Sequence, residues 1–515
     1  VEAPANPAKL ETPIFEALNA REILPFVHRE NTFVDFDRDR LIYHMLSNEG
    51  PGVAVGDING DGLDDVYIGG AKDQPGVLYL QTAQGFRPTQ EALFEADQVS
   101  EDTDALFFDA DADGDLDLYV CSGGNEFSPS SSALFDRLYL NDGEGNFTKS
   151  AQLLPVARFI NSACVRAADV DGDGDLDLFV GTRAEAFAYG RPQSSFLLLN
   201  DGKGNFTDAT QQVAPGLEKI GMVTSAIWSD LNQDQRPDLL LVGEWMPVRV
   251  FMNENGQLVQ KTVEARLNGM NGWWHSIAEG DFNQDGLPDF VVGNHGLNSR
   301  IKAGPGEPVN LYVADFDQNG TDEHILTTYQ DGKPYPLALR HDLVMQLPIL
   351  KKKYLKYEQY KDQTVEQVFG KRTLERAIKL AANTLASQVF INQGNGQFQA
   401  IPLPVEAQFS PVYALLVSDF DDDGKQDILL GGNQYRAKPE IGRYDASYGL
   451  LLKGKGDGTF APVPARQSGI RLEGEMRALH VVKTGSGQHI LAVCSNGPVQ
   501  IFKTRPGSKG MVTVR

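Results

Sequence analysis

Nine residues recur seven times along this chain of 515 residues. The pattern is an acid or Asn at positions 1, 3, 5 and 9, with glycine at 6. Copies begin at Asp57 (DINGDGLDD), Asp109 (DADADGDLD), Asp169 (DVDGDGDLD), Asp230 (DLNQDQRPD), Asp281 (DFNQDGLPD), Asp315 (DFDQNGTDE) and Asp419 (DFDDDGKQD). Carboxylates this close repel one another unless something neutralises them. Calcium does so, because it is a hard cation that takes six to eight oxygens. Side chains at 1, 3, 5 and 9, with the carbonyl at 7, can wrap one ion. Glycine at 6 permits the sharp turn with positive φ.

The expected ligands are therefore Asp57, Asn59, Asp61, Leu63 and Asp65 in the first copy, and Asp109, Asp111, Asp113, Asp115 and Asp117 in the second. The third offers Asp169, Asp171, Asp173, Asp175 and Asp177, and the fourth Asp230, Asn232, Asp234, Arg236 and Asp238. The fifth offers Asp281, Asn283, Asp285, Leu287 and Asp289, and the sixth Asp315, Asp317, Asn319, Thr321 and Glu323. Asp419, Asp421, Asp423, Lys425 and Asp427 complete the set, for up to seven Ca2+ ions. Gln235 replaces the glycine in the Asp230 copy and Glu323 the last Asp in the Asp315 copy, which makes these two the weakest matches.

The loop is not an EF-hand, which needs a bidentate Glu at position 12 between two helices. Position 12 is aliphatic in every copy: Ile68, Val120, Val180, Leu241, Val292, Leu326 and Leu430. Apolar runs flank each loop, as in GVAVGD before and LDLYVCSGG after, so the loop is the turn of a β-hairpin. A formal charge of −24 and a pI near 4.7 suit a cation binder and argue against nucleic acid or an anionic membrane. No apolar run is long enough to span a bilayer. Cys121, Cys164 and Cys494 match neither a disulfide framework nor a zinc site and read as buried thiols.

A second hairpin signal follows most loops: VLYLQTAQGF, RLYLNDGEGNF, FLLLNDGKGNF, VRVFMNENGQL, QVFINQGNGQF and GLLLKGKGDGTF. Two hairpins make a four-stranded unit, and repetition at this period implies a propeller. The Asp315 copy follows its predecessor too closely to start a unit, so it belongs to an insertion. The reading is an all-β, seven-bladed β-propeller over residues 31–505, with an insertion at about 300–387 in blade five, helical at about 340–387. Residues 1–30 are an N-terminal extension and 506–515 a C-terminal tail. MRALHVVKTGSGQHILAVCSN and PVQIFKT supply three strands of blade seven, and NTFVDFD (31–37) is the expected fourth, closing the ring.

These repeats resemble the FG-GAP/VCBS repeats of integrin-α-like β-propellers. More narrowly, GDINGDGLDDVYIGGA, GEWMP, NGWWHS and GNHGLNS resemble secreted or surface proteins of the Bacteroidota associated with ASPIC/UnbV segments. The resemblance implies an extracellular or cell-surface protein, in many cases one module of a longer chain.

Opposite the calcium turns, the loops joining hairpins are long and rich in Arg, Tyr, Asn and Trp. Trp245, Trp273, Trp274, His275, His295 and Asn298 are expected to meet near one rim of the channel. Exposed indoles there would suit a glycan or peptide ligand; packing between blades is the favoured reading for at least one of the three. The leading function is non-enzymatic recognition of a protein or glycan. Its rivals are a carbohydrate-active lyase using His275 or His295, and a structural subunit of a surface assembly. HExxH, GxSxG and CxxC signatures are absent from the sequence.

Overall fold

A computed structural model describes residues 13–504, apart from 157, 305 and 395. The expected tail at 506–515 and the first twelve residues of the expected extension lie outside the described residues.

Each calcium-type hairpin outside the insertion opens a four-stranded antiparallel blade, with blades four and five joined edge to edge through Glu244–Met246 and Gly272–Trp273. Blade one comprises Val53–Gly56, Asp65–Ile68, Val77–Thr82 and Gly85–Thr89. Blade two runs from Glu101–Phe108 to Thr148–Lys149, blade three from Ser162–Ala168 to Phe206–Asp208, and blade four from Met222–Ser229 to Leu258–Gln260. Blade five joins Gly272–Gly280 and Asp289–Asn294 to Gln388–Asn392 and Phe398–Pro402. Blade six runs from Val412–Ser418 to Phe460–Val463. Blade seven is Glu475–Thr484, Gly487–Ser495 and Gln500–Thr504, plus one strand from the N-terminal side. The first strand of every blade contacts that of the next, and blade seven's contacts blade one's, so seven blades close a ring.

The second strands of blades one to six are buried along their whole length, as in DLYVCSG and DLFVGT. Neighbouring blades cover both of their faces, which is why they read as unbroken apolar runs. All three cysteines are buried free thiols within this packing.

Two expectations are corrected. The strand that completes blade seven is Phe15–Leu18, paired with Ile501 to Thr504, not NTFVDFD. Phe15 is buried between blades six and seven, whereas Asp35–Arg38 forms a single helical turn. Part of the supposed extension therefore belongs to the ring, because the outer edge of Gln500–Thr504 has no other strand to pair with.

The insertion has its expected helical turns between Arg340 and Leu374, but the end of that stretch is a strand and the rest of the insertion is a sheet. Val309–Ala314, Glu323–Gln330, Lys333–Pro336 and Ile378–Ala382 form an eighth four-stranded sheet. Short helices and 3₁₀ turns, including Arg340–Gln346 and Val365–Phe369, pack on one side of it. Thr364 and Gln367 form a capping box at the start of Val365–Phe369, but Gly370 ends that helix within two turns. IKLAA, which has helical composition, forms a strand because Val309–Ala314 offers it an edge.

Candidate metal centres and the channel mouth

All seven acidic loops share one local geometry. The first Asp accepts the N–H of position 6 in every copy, at 2.7 to 3.1 Å. The position-5 side chain accepts the N–H of position 7 in every copy. These Asx turns need left-handed backbone at two places. Position 6 has it, including Gln235 at φ 67°. So does position 4, which the sequence did not flag: Ala112 at 60°, Gln233 at 60°, Gln284 at 61°, Gln318 at 63° and Asp422 at 59°.

Position 9 is fully buried and holds the hairpin together. One carboxylate oxygen accepts the N–H of position 2 in every copy. In the six blade copies the other oxygen accepts an N–H from the third strand. Glu323 stands in the insertion sheet, and its Oε1 has no partner. Burial pushes Asp65, Asp117, Asp427 and Glu323 up to about 7, and Asp177, Asp238 and Asp289 up to about 6.

Four loops bring three carboxylate oxygens within 4.8 Å of one another: Asp109/Asp111/Asp117, Asp169/Asp171/Asp177, Asp315/Asp317/Glu323 and Asp419/Asp421/Asp427. The Asp57, Asp230 and Asp281 loops carry Asn59, Asn232 and Asn283 at position 3, so an amide oxygen takes the third place there. The donors fit a hard cation. Asp109 Oδ1, Asp111 Oδ1, Asp115 Oδ1, Asp317 Oδ1 and Asp421 Oδ1 are buried and have no hydrogen-bond partner. Asp115 at position 7 thus adds its side chain, and burial with the charges of Asp113 and Asp111 raises it to about 6. Two loops carry an internal cation. Arg236 pairs with Asp234 at 3.2 Å, while Lys453 reaches Asp421 and, at 3.0 Å, Asp423.

A further set of residues locks neighbouring loops together. Asn200, Asn253 and Asn392 end the third strands of blades three to five, and Asn141 directly follows that of blade two. Each donates its amide to the position-2 carbonyl of the preceding blade: Ile58, Ala110, Val170 and Leu231, at 2.8 to 3.1 Å. The signal was present as the recurring Asn of RLYLN, FLLLN, VFMN and VFIN, but its target lies in another blade.

The aromatic cluster assembles differently from the expected exposed platform. Trp245, Trp273 and Trp274 are 4%, 1% and 0% exposed. Trp273 contacts Trp245 and stacks on His295 at 4.9 Å between centroids. Trp274 faces the other way, against Phe390 between blades four and five. His275 stacks on Tyr413 at 4.2 Å. Of the six residues only Asn298 is exposed, and its amide donates to the Phe409 carbonyl.

The indoles are buried because the chain closes its own channel mouth. Residues 41–48 are buried and cross the rim: Met45 N–H donates to Arg436, and Lys438 N–H donates to Tyr43. Tyr43 meets the Tyr444 hydroxyl and packs on Trp273. The insertion sheet lies over this plug through Val309, Leu311, Val313 and Leu326. His324 of that sheet clamps Asp39 below and donates from Nε2 to the Tyr189 carbonyl, 2.7 Å away.

Beneath the plug lies a buried ion network. Arg183 pairs with Glu49 and, at 2.7 Å, with Glu244, which also accepts the Tyr189 hydroxyl. Burial alone would raise Glu244, but Arg183 holds it down to about 2. Burial pushes His44 down to about 4 and His295 to about 3, and His275 well below its usual value. These histidines are neutral at pH 7 and shielded from a polymeric substrate.

The geometry defines a β-propeller whose blades are built on acidic metal-type hairpins. The chain carries FG-GAP-like repeats on a β-propeller: the FG-GAP-like repeat model matches residues 57–120, 109–180 and 230–292. No curated protein matches the chain significantly. Among solved structures, the Vibrio cholerae biofilm matrix protein Bap1 is 11% identical, with 94% of this chain and 91% of Bap1 covered at a TM-score of 0.39. Sqt1 of Saccharomyces cerevisiae is 10% identical, over 91% of this chain and 97% of its own, at 0.40. YCF48 bound to D1 peptide is 8% identical, over 90% and 96%, at 0.41. At these TM-scores the likenesses carry no argument about function.

Proposed function

We propose that this chain is a calcium-stabilised, non-enzymatic recognition propeller that works outside the cell or on its surface. The observation that carries the calcium reading is the set of buried, unpartnered carboxylate oxygens in the Asp109, Asp315 and Asp419 loops. Each is an acceptor without a donor, and a hard cation satisfies it. The narrower likeness to Bacteroidota surface proteins, carried by GEWMP, NGWWHS and GNHGLNS, supports the location.

Protein recognition is favoured over glycan recognition. A glycan platform needs accessible rings, and the tryptophans at the channel mouth are buried. The insertion instead presents Met345, Ile349, Leu355 and Tyr357, 53 to 66% exposed. Exposed Lys351, Lys352, Lys353 and Lys356 stand among them. On a chain of net charge −24 this apolar, basic arm suits an acidic protein surface. Burial of His275 and His295 speaks against their acting as lyase bases.

Protein and glycan arrays probed with the full chain in calcium test the reading. Protein ligands are expected to be lost when Ile349, Leu355 and Tyr357 are changed together to Ser, with the melting temperature unchanged. Glycan hits that survive the substitution would refute the assignment.

A further inference from the structure

Glu101 opens the first strand of blade two, and its side chain is fully buried. Its Oε2 accepts the Lys72 N–H at 2.9 Å, but Oε1 has no partner. Glu126, in the following rim loop, accepts Asn31 Nδ2 at 3.0 Å on Oε1, while its Oε2 has no partner. Asn48 comes from the plug and is 7% exposed. Its Nδ2 donates to Glu30 at 2.9 Å, and its Oδ1 is likewise unpartnered. Glu30 itself accepts the Ser495 hydroxyl at 2.7 Å.

Among the described residues no lysine or arginine pairs with Glu30, Glu101 or Glu126. The nearest base is His28, 3.8 Å from Glu30, and burial pushes that imidazole down to about 3, so it is neutral. Burial, and then the charges of Glu30 and Glu126, raise Glu101 well above the usual carboxylate range. Burial raises Glu126 to about 8. The three acids form no ion pair with a lysine or arginine among the described residues, Arg436 and Arg477 acting on Glu30 only from a distance, and the orphaned atoms of Glu101, Glu126 and Asn48 are oxygen acceptors. Their ionised form is costly inside a protein unless a cation accompanies it.

We propose that Glu101, Glu126 and Asn48 hold one calcium ion outside the seven acidic loops, joining the plug to blade two. An all-oxygen set of two carboxylates and an amide matches a hard divalent cation in charge and donor type. The loops are local in sequence. This site draws its ligands from three segments and forms only when the plug is seated. Calcium would then control closure of the channel mouth as well as the hairpin turns.

The test uses the full chain and reads a difference, so it does not depend on how many loops are filled. Glu101→Gln and Glu126→Gln, each verified as folded by circular dichroism, are compared with the unmodified protein by equilibrium dialysis against radioactive calcium. Each variant is expected to bind one ion fewer at saturation, and calcium should raise its melting temperature by less. An unchanged ion count overturns the proposal. Should both variants fail to fold, crystals of the unmodified protein soaked in terbium decide the matter. An anomalous peak about 2.3–2.6 Å from Glu101 Oε1, Glu126 Oε2 and Asn48 Oδ1 is expected; terbium at the loops but not here would overturn it.

Discussion

Asn200 offers a direct test of how the blades are coupled. It ends the third strand of blade three and is 9% exposed. Its amide donates to the Ala110 carbonyl of blade two at 2.8 Å and to the Leu176 carbonyl at 3.1 Å. Its Oδ1 accepts the exposed Asp201 N–H, which water can serve instead. In Asn200→Ala the Ala110 carbonyl, wholly buried, loses this donor, at a cost of about 1–3 kcal/mol. The half-buried Leu176 carbonyl adds about 0.5–1 kcal/mol. The expected loss is about 1.5–4 kcal/mol, with the metal loops left intact in sequence. Asn200→Asp should cost more, since it sets an anion against two carbonyls and beside Asp177. Urea unfolding in saturating calcium, followed by tryptophan fluorescence, measures both. A loss below about 0.5 kcal/mol for Asn200→Ala would refute the inter-blade lock.

Three further outcomes are expected. In chelator, acids raised to about 6–7 favour folding when protonated, so their contribution to stability is fully present below about pH 4 and is lost as pH rises through 6–7. Calcium takes the ionised form and should reverse that slope at neutral pH; parallel melting curves with and without calcium would contradict this. Lys453→Gln should tighten calcium at the Asp419 loop by about fivefold. The lysine is 41% exposed, so its two ion pairs together are worth only about 1 kcal/mol. The calcium concentration needed for half-maximal thermal protection reads that change, and a weaker site would disprove competition by the ammonium. Trp273→Ala should lower stability by about 3–5 kcal/mol whatever ligand is present, because the indole is 1% exposed. A native-like melting temperature would restore the exposed-platform reading.

The sequence by itself determined the repeating unit. An Asx-rich turn makes its contacts within nine residues, as Asp109 does with Gly114, so alternating acids and one glycine reveal it. The number of blades followed from the spacing of those turns and from the apolar runs beside them. Only tertiary structure decided which segment closes blade seven. FEAL and NTFVDFD have similar strand character, and the choice rests on which one reaches the edge at Gln500–Thr504. The same holds for IKLAA, whose composition allows a helix until a strand edge is offered. Burial of Trp245 and Trp273 was equally beyond the sequence. Their position at the rim is set by neighbouring residues, but what covers them is residues 41–48 and a sheet beginning at Val309. Exposure depends on contacts between segments hundreds of residues apart, and no local pattern records such contacts.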